Sequence, residues 1–370
     1  MDYKSLIISK KSDSNLDDLI IKMESNLDFE ICPLYESMHT NDYNVCMHMD
    51  SIDDFNRMKS KQISKLLEYN SYVVGYDKKA VDKVIKQKKV PIFIVDPIYL
   101  KILNKAVNDV NLVAMSFLLK NANEINDDIQ DIENECFSEI NYVMEIKNIS
   151  KVYELILKLW EFKQAGGGIH RELISLMLDC GMLIKKGNDK SISNASYDMS
   201  LGDEYFYGGK IKSLSDRDPF IMIEPYDYVI ASCDEFINFP RDIVAKFDVS
   251  VDLFCQGIIL SNSTQVDPGF KGKLFCLLFN TSNKVVCIKR REHFVTLDFQ
   301  KLLEATTPYS GRFSGKESII YYLPNNVMQG ALNELKKEIE QLKNESKNMQ
   351  NMYMSILALI LAVIAIIIVF

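Results

Sequence analysis

The sequence predicts an α/β domain followed by an all-β barrel or sandwich, then a coiled coil and a carboxyl-terminal transmembrane helix. Three observations carry that expectation. Apolar strand-like runs alternate with amphipathic stretches over residues 1–162. Short β-rich runs with turn residues between them fill 169–303. No charged residue follows Lys347, and 352–370 is apolar apart from Tyr353 and Ser355.

The first region pairs apolar runs such as "SLIIS" and "VPIFIVD" with amphipathic ones such as "DDLIIKMESN" and "ISKVYELILKLWEF". Strands alternating with helices imply a largely parallel sheet. "QAGGGIHRE" then supplies a glycine hinge between domains. The second region opens with one helix, "HRELISLMLDCGMLI", closed by Asp179, Cys180 and Gly181. The runs "FIMIEP", "YVIASCDEFINFP", "DIVAKFDVSV", "GIILSNS", "GKLFCLLFN", "KVVCIKR" and "HFVTLDF" follow as expected strands. Residues 304–326, including "TTPYSGRFSGKES", read as a polar linker.

In 327–351 the residues Met328, Leu332, Leu335, Ile339, Leu342, Ser346, Met349 and Tyr353 follow a 4-3 spacing, with Glu and Lys on the flanks. That is the a/d pattern of a short coiled coil, and a single amphipathic helix on the barrel is its alternative. The stripe runs in phase into Ile356, which makes one continuous stalk and anchor the expected form. The lysines at 336, 337, 343 and 347 favour a single-pass tail anchor with the bulk of the chain in the cytosol. The opening stretch lacks the long apolar core of a secretory signal.

Composition narrows the function. The 370 residues are 47% hydrophobic and 25% charged, with a formal net charge of −8. An acidic chain is a poor coat for nucleic acid, because phosphate binding needs a basic face. A local pocket for one nucleotide is not excluded by this. The eight cysteines form no CxxC pair, and His39 and His48 flank Cys46 without further metal-spaced ligands. No metal site or cofactor is expected, with Mg²⁺ entering only alongside a bound nucleoside triphosphate. Reduced, buried thiols of a cytosolic domain are the expectation for the cysteines.

Residues of the β region carry a resemblance. "SYDMSLGDEYF", "IEPYDYVIASCDEFINFPRDIVAKFD" and "QGIILSNSTQVDPGFKGKLFCLLFNTS" resemble, in order and spacing, the dCTP deaminase and dUTPase superfamily, most closely its deaminase branch. The resemblance covers about a third of the chain. It implies a distorted β-barrel, a homotrimer and nucleotide sites between subunits. In "VDPGFKG", Pro268 fixes φ and Gly269 tolerates positive φ, giving a tight turn that holds Asp267. The resemblance places Asp267 by the deoxyribose, or as the residue positioning the attacking water. It places the nucleotide against Ser261, Thr264, Gln265, Val266, Gly269, Phe270 and Gly272. A turn-capping role is the alternative for Asp267.

The same resemblance exposes departures. The family's Arg-Ser-Ser phosphate grip corresponds to Ser250, Val251 and Asp252, and a further phosphate-binding Arg to Cys255. Asp252 would repel a triphosphate. The catalytic Glu, which shuttles protons, is assigned to Leu278 in "KLFCLLFN". The family's flexible carboxyl-terminal arm is not evident, its place being taken by the linker and stalk.

A fainter resemblance, over about 5–160, is to guanylate kinases. It rests on "IDDFNRM", "LLEYNSYVVGYDKKAVDKVIKQKKVPIFIVD" and "EINYVMEIKNISKVYELILKLW". The phosphate loop has gone: "LIISKKSDSNLDD" has Lys10 and Lys11 but no glycine to let backbone amides surround phosphate. Glu68 and Gly75 match acceptor-site positions, with a solvated surface Glu as the alternative for Glu68, whereas Val74 replaces a Tyr. Three functions are carried forward. The first is a membrane-tethered, catalytically inactive nucleotide sensor or effector, with anti-phage defence as an analogy. The second is an active pyrimidine deoxynucleotide deaminase or diphosphatase using Asp267. The third is a structural, oligomeric membrane scaffold.

Overall fold

A computed structural model describes residues 3–10, 14–36, 46–48, 63–69, 72–108, 112–121, 140–185, 187–261, 265–323 and 331–369. The amino-terminal lobe contains β1 (Ser5–Ser9), α1 (Ser14–Glu24), β2 (Phe29–Ile31), β3 (Leu34–Glu36), β4 (Cys46–His48), β5 (Ile63–Tyr69) and β6 (Tyr72–Asp77). It continues through α2 (Lys78–Lys86), β7 (Val90–Val95), α3 (Leu100–Asn108), β8 (Ala114–Asn121), β9 (Tyr142–Ile146) and α4 (Ile149–Glu161). The strands β2-β7-β1-β8-β9 form a parallel sheet. Every residue of β1 is buried, as a strand covered by helices on both faces requires. Helix α4 begins where Asn148 accepts from the Ser150 amide at 2.9 Å, and it buries Val152, Leu155, Ile156 and Leu159 at helical spacing.

The α/β expectation therefore holds, with an addition. A second sheet, β4-β3-β6-β5, is mainly antiparallel and contains the β5–β6 hairpin. Gly75 and Val74 sit on β6 facing Leu66 and Leu67 across that hairpin. The side chain of Glu68 lies outside the described residues, as does all of Lys11. Lys10, directly after β1, is buried.

The second lobe opens with β10 (Gly167–Gly168), α5 (Arg171–Asp179), β11 (Leu183–Lys185), β12 (Ser196–Tyr207), β13 (Lys210–Ser213), β14 (Phe220–Ile223) and β15 (Tyr228–Asn238). It closes with β16 (Ile243–Val249), α6 (Val251–Cys255), β17 (Ile258–Ser261), β18 (Lys271–Asn280), β19 (Val286–Lys289) and β20 (His293–Lys301). The path β10-β20-β12-β15-β18-β17 is a curled sheet, with β11 on β15, β13 on β12 and β16 on β20. A β14–β19 pair stands beside it. Strand β18 alternates inward and outward along its whole length, the period of two that a half-buried strand dictates.

Four sequence expectations need correction here. The glycine hinge is not free: Gly167 and Gly168 pair with Lys301 and Gln300, and the Ile169 amide donates to Phe299 O at 3.2 Å. One continuous apolar core joins the two lobes. The end of "DIVAKFDVSV" leaves the strand and turns into α6, starting at Ser250. Cys255 and Cys287 are exposed, whereas Cys32, Cys180, Cys233 and Cys276 are buried.

The "linker" is, over 304–323, a strap docked on the barrel. The Thr306 amide donates to Arg241 O at 3.0 Å, Tyr309 N to Pro268 O at 2.8 Å, and Gly315 N to Lys271 O at 2.7 Å. A short 3₁₀ turn, Ile319–Tyr321, is held by the Glu204 carboxylate, which accepts from Ser318 Oγ at 2.9 Å and from Ile319 N at 2.5 Å.

Helix α7 (Ala331–Val369) runs uninterrupted through both the stalk and anchor segments. Its stripe residues Ile339, Leu342, Met349 and Tyr353 are all exposed in the single chain. Among the described residues, no helix is long and apolar enough to cross a membrane. The assigned anchor, 352–370, falls partly outside them, since the side chains from 362 onward are not described.

Candidate functional site

The turn between β17 and β18 organises a pocket. Val266 exchanges backbone hydrogen bonds with Ala245 at 2.7 and 3.1 Å, which ties the turn to β16. Asp267 follows, half-buried, and its Oδ1 accepts from Gln265 Nε2 at 2.9 Å. Gly269 adopts φ +74°, and its amide donates to Pro240 O at 3.0 Å. A Cβ there would lie 2.5 Å from Pro308 Cβ, so the strap as well as the backbone demands glycine. At Gly272, φ is +145° and an added Cβ would meet Lys316 O at 2.9 Å. Ser261 ends β17 and is exposed, opposite Leu277. Thr264 lies outside the described residues.

The pocket encloses about 330 Å³ and is lined by Phe247, Gln265, Val266, Asp267, Phe270, Leu274, Phe275, Tyr309, Phe313 and Tyr322. Its walls are aromatic. Phe270 and Tyr309 lie 5.5 Å apart between ring centroids, and Phe313 stacks on Tyr322 at 4.4 Å with a 7° interplanar angle. Phe275 meets Tyr322 at 4.4 Å. Burial pushes the Tyr322 phenol up to about 12, so it stays protonated and donates to Lys273 O at 3.1 Å. Flat walls around one carboxylate and one carboxamide suit a planar heterocycle carried on a polar sugar. Of the residues expected to line a nucleotide site, Gln265, Val266, Asp267 and Phe270 come together. The strap aromatics were missed. Their sequence signal was Tyr309, Phe313 and Tyr322 inside a stretch otherwise too polar to pack.

The phosphate-grip positions do not line this pocket. Ser250 is buried and its amide donates to Phe294 O at 2.9 Å. Val251, Asp252 and Cys255 are exposed on α6. Leu278 is fully buried on the inward face of β18, a face it shares with Leu274 of the pocket, whereas Phe275 of the pocket belongs to the other face. The residue sharing that face one step along is Leu277, half-buried. Strand β18 carries no carboxylate at either position.

A second cavity, of about 660 Å³, lies near Ser200, Glu235 and Arg291. The Glu235 carboxylate accepts from Ser200 N at 3.0 and 3.1 Å, and burial raises its pKa above the usual carboxylate range. Nothing in the sequence reading singled it out.

A family model described as dCTP deaminase-like matches residues 170–302. Over 140 residues the chain is 31% identical to the dCTP deaminase of Pyrococcus abyssi, covering 90% of that protein and 38% of this chain. The chain belongs to the dCTP deaminase-like family. The dCTP deaminase of Thermococcus kodakarensis is 32% identical over 139 residues, covering 88% of that protein and 37% of this chain. Among solved structures, a 2'-deoxycytidine 5'-triphosphate deaminase from Agrobacterium tumefaciens matches with a TM-score of 0.32 and 15% identity, over 37% of this chain and 48% of that one. A guanylate kinase from Anaplasma phagocytophilum matches with a TM-score of 0.33 and 11% identity, over 44% of this chain and 87% of that one. The dCTP deaminase-like match thus falls on the second lobe and includes Asp267 and the aromatic Phe270, but stops short of the strap.

Proposed function

We propose that this dCTP deaminase-like protein binds a pyrimidine deoxynucleotide in the Asp267 pocket without deaminating it, as an oligomeric, membrane-tethered sensor or effector. The observation that carries the reading is the contrast on the two sides of one turn. Asp267 stands in a formed aromatic pocket, while the adjoining strand offers Leu277 and Leu278 where a proton-transferring carboxylate would be needed. The exposed α6, with Asp252 and no arginine, supports the loss of a strong triphosphate grip.

Self-association is supported by the unpartnered stripe along α7, which a parallel bundle of like helices would bury. Tethering is supported by the charge-free 352–370 segment and by the unbroken helix leading to it. Binding can act at the membrane because strap and stalk are consecutive in the chain, provided that the ligand prefers one arrangement of the strap. A role in anti-phage defence belongs to this reading as analogy alone.

Titration calorimetry with dCTP and dUTP tests it. The full chain binds one of them, and Asp267→Ala weakens that binding about tenfold, the scale of one charge-assisted hydrogen bond lost. Absence of binding by either nucleotide favours a purely structural scaffold and removes this proposal.

A further inference from the structure

The two lobes meet over a small, buried polar cluster. Tyr142 of β9 donates its hydroxyl to Asp242 Oδ2 at 2.5 Å. Lys301 Nζ stands 3.4 Å from the same oxygen and also donates to Ala165 O and Leu302 O, each at 3.3 Å. All three side chains are at least nine-tenths buried: Tyr142 is 2% exposed, Asp242 4% and Lys301 8%. Asp242 Oδ1 is buried and makes no hydrogen bond among the described residues. A buried carboxylate left half-satisfied adds little stability compared with an apolar replacement, so its presence calls for another role.

What Asp242 touches supplies that role. It ends a four-residue segment, 239–242, fastened on its other side to the Asp267 turn. Gly269 N donates to Pro240 O at 3.0 Å, and Phe239 N donates to Phe270 O at 3.0 Å. The same segment holds the start of the strap, with Arg241 Nε donating to Thr306 O at 2.9 Å and Leu302 N to Asp242 O at 2.7 Å. One face of 239–242 is thus pinned by the α/β lobe and the other sets the height of the turn that bears Asp267 and Phe270.

We infer that Tyr142, a residue of the α/β lobe, is a positioning residue for the pocket of the other lobe, acting through Asp242 and the 239–242 segment. The inference rests on the reading of that pocket as a nucleotide site. It assigns the α/β lobe a task that needs no phosphate loop: fixing the Asp267 turn.

The test uses the full chain in detergent and two variants, each losing one phenolic hydroxyl from the same buried region. Tyr142→Phe removes the bond to Asp242. Tyr3→Phe removes the hydroxyl that accepts from Asn141 Nδ2 at 2.8 Å but leaves the Tyr142–Asp242 bond in place, and serves as the control. Amide hydrogen exchange is read at Gly269 and Phe239, and dCTP affinity by calorimetry. In Tyr142→Phe, exchange at those two amides accelerates and the dCTP dissociation constant rises about fivefold or more, the lower end of ordinary coupling between sites. Tyr3→Phe leaves both unchanged. Unchanged exchange at Gly269 and Phe239 in Tyr142→Phe overturns the inference, and so does an equal response in both variants or a uniform loss of protection over the whole barrel. If the unmodified chain binds no dCTP, the nucleotide reading falls and the exchange comparison alone decides the positioning claim. If dCTP binds equally well to Tyr142→Phe despite faster exchange, the inference falls and the nucleotide reading stands.

Discussion

Single residues decide what chemistry the barrel can support. Leu277 and Leu278 show how a shift of one along a strand moves a side chain from the outward face to the core. The run "KLFCLLFN" gave the strand but not its phase, because it is apolar at almost every position after the lysine and so lacks an alternating pattern. If Leu278 is the core residue, Leu278→Ala costs about 2–5 kcal/mol in urea unfolding, and Leu277→Ala costs clearly less. Equal losses would contradict the assigned faces. Ionisable residues allow a second check. Hydrogen bonding and charge from Arg290, at 2.5 and 2.9 Å, hold the Asp203 carboxyl below its usual range. Its stabilisation is therefore present above the unfolded-state value and is lost as pH falls through the lower folded one. Glu235 has the opposite sign, because burial raises it and its ionised form is disfavoured in the fold. Urea midpoints measured against pH test both. The gap between the wild type and Asp203→Asn closes on acidification, while Glu235→Gln gains on the wild type as pH rises through the carboxylate range.

Among the elements, the strap and the long helix carry the functional argument. The strap was invisible as structure because it has neither period of two nor period of 3.6, and its contacts are scattered backbone bonds, side-chain bonds and ring contacts to residues distant in the chain. Its aromatic content was the one legible sign. The turn at Asp267 was legible because Pro268 and Gly269 constrain it locally, whereas α6 was not. "DVSVDL" favours a strand by composition, and the bonds from Phe254 N to Ser250 O at 2.9 Å and from Gln256 N to Asp252 O at 3.2 Å, with the tertiary surroundings, make it helical. For α7 the stripe predicts association. Ile339→Asn, placed on the exposed seam, raises the dissociation constant of the oligomer by about tenfold or more in analytical ultracentrifugation. An unchanged constant would assign self-association to the barrel alone and leave the seam without a partner.

At the scale of the whole molecule, two lobes share one apolar core, and the strap closes one wall of the pocket. The barrel was the most legible part, since three motifs in order carried its family, and the family model falls on the same residues. The docking of the lobes was not legible, because "QAGGGIHRE" reads as a flexible boundary until Gly167 and Gly168 are seen to add a strand edge to β20. The proposed function depends on separating binding from turnover. The most direct measurement is ammonia release from dCTP by the purified full chain, with nucleotide binding confirmed on the same sample. Saturable binding with no ammonia above the uncatalysed background is the expected result. Release at an ordinary enzymatic rate of about 1 s⁻¹ or more, abolished by Asp267→Ala, would contradict it.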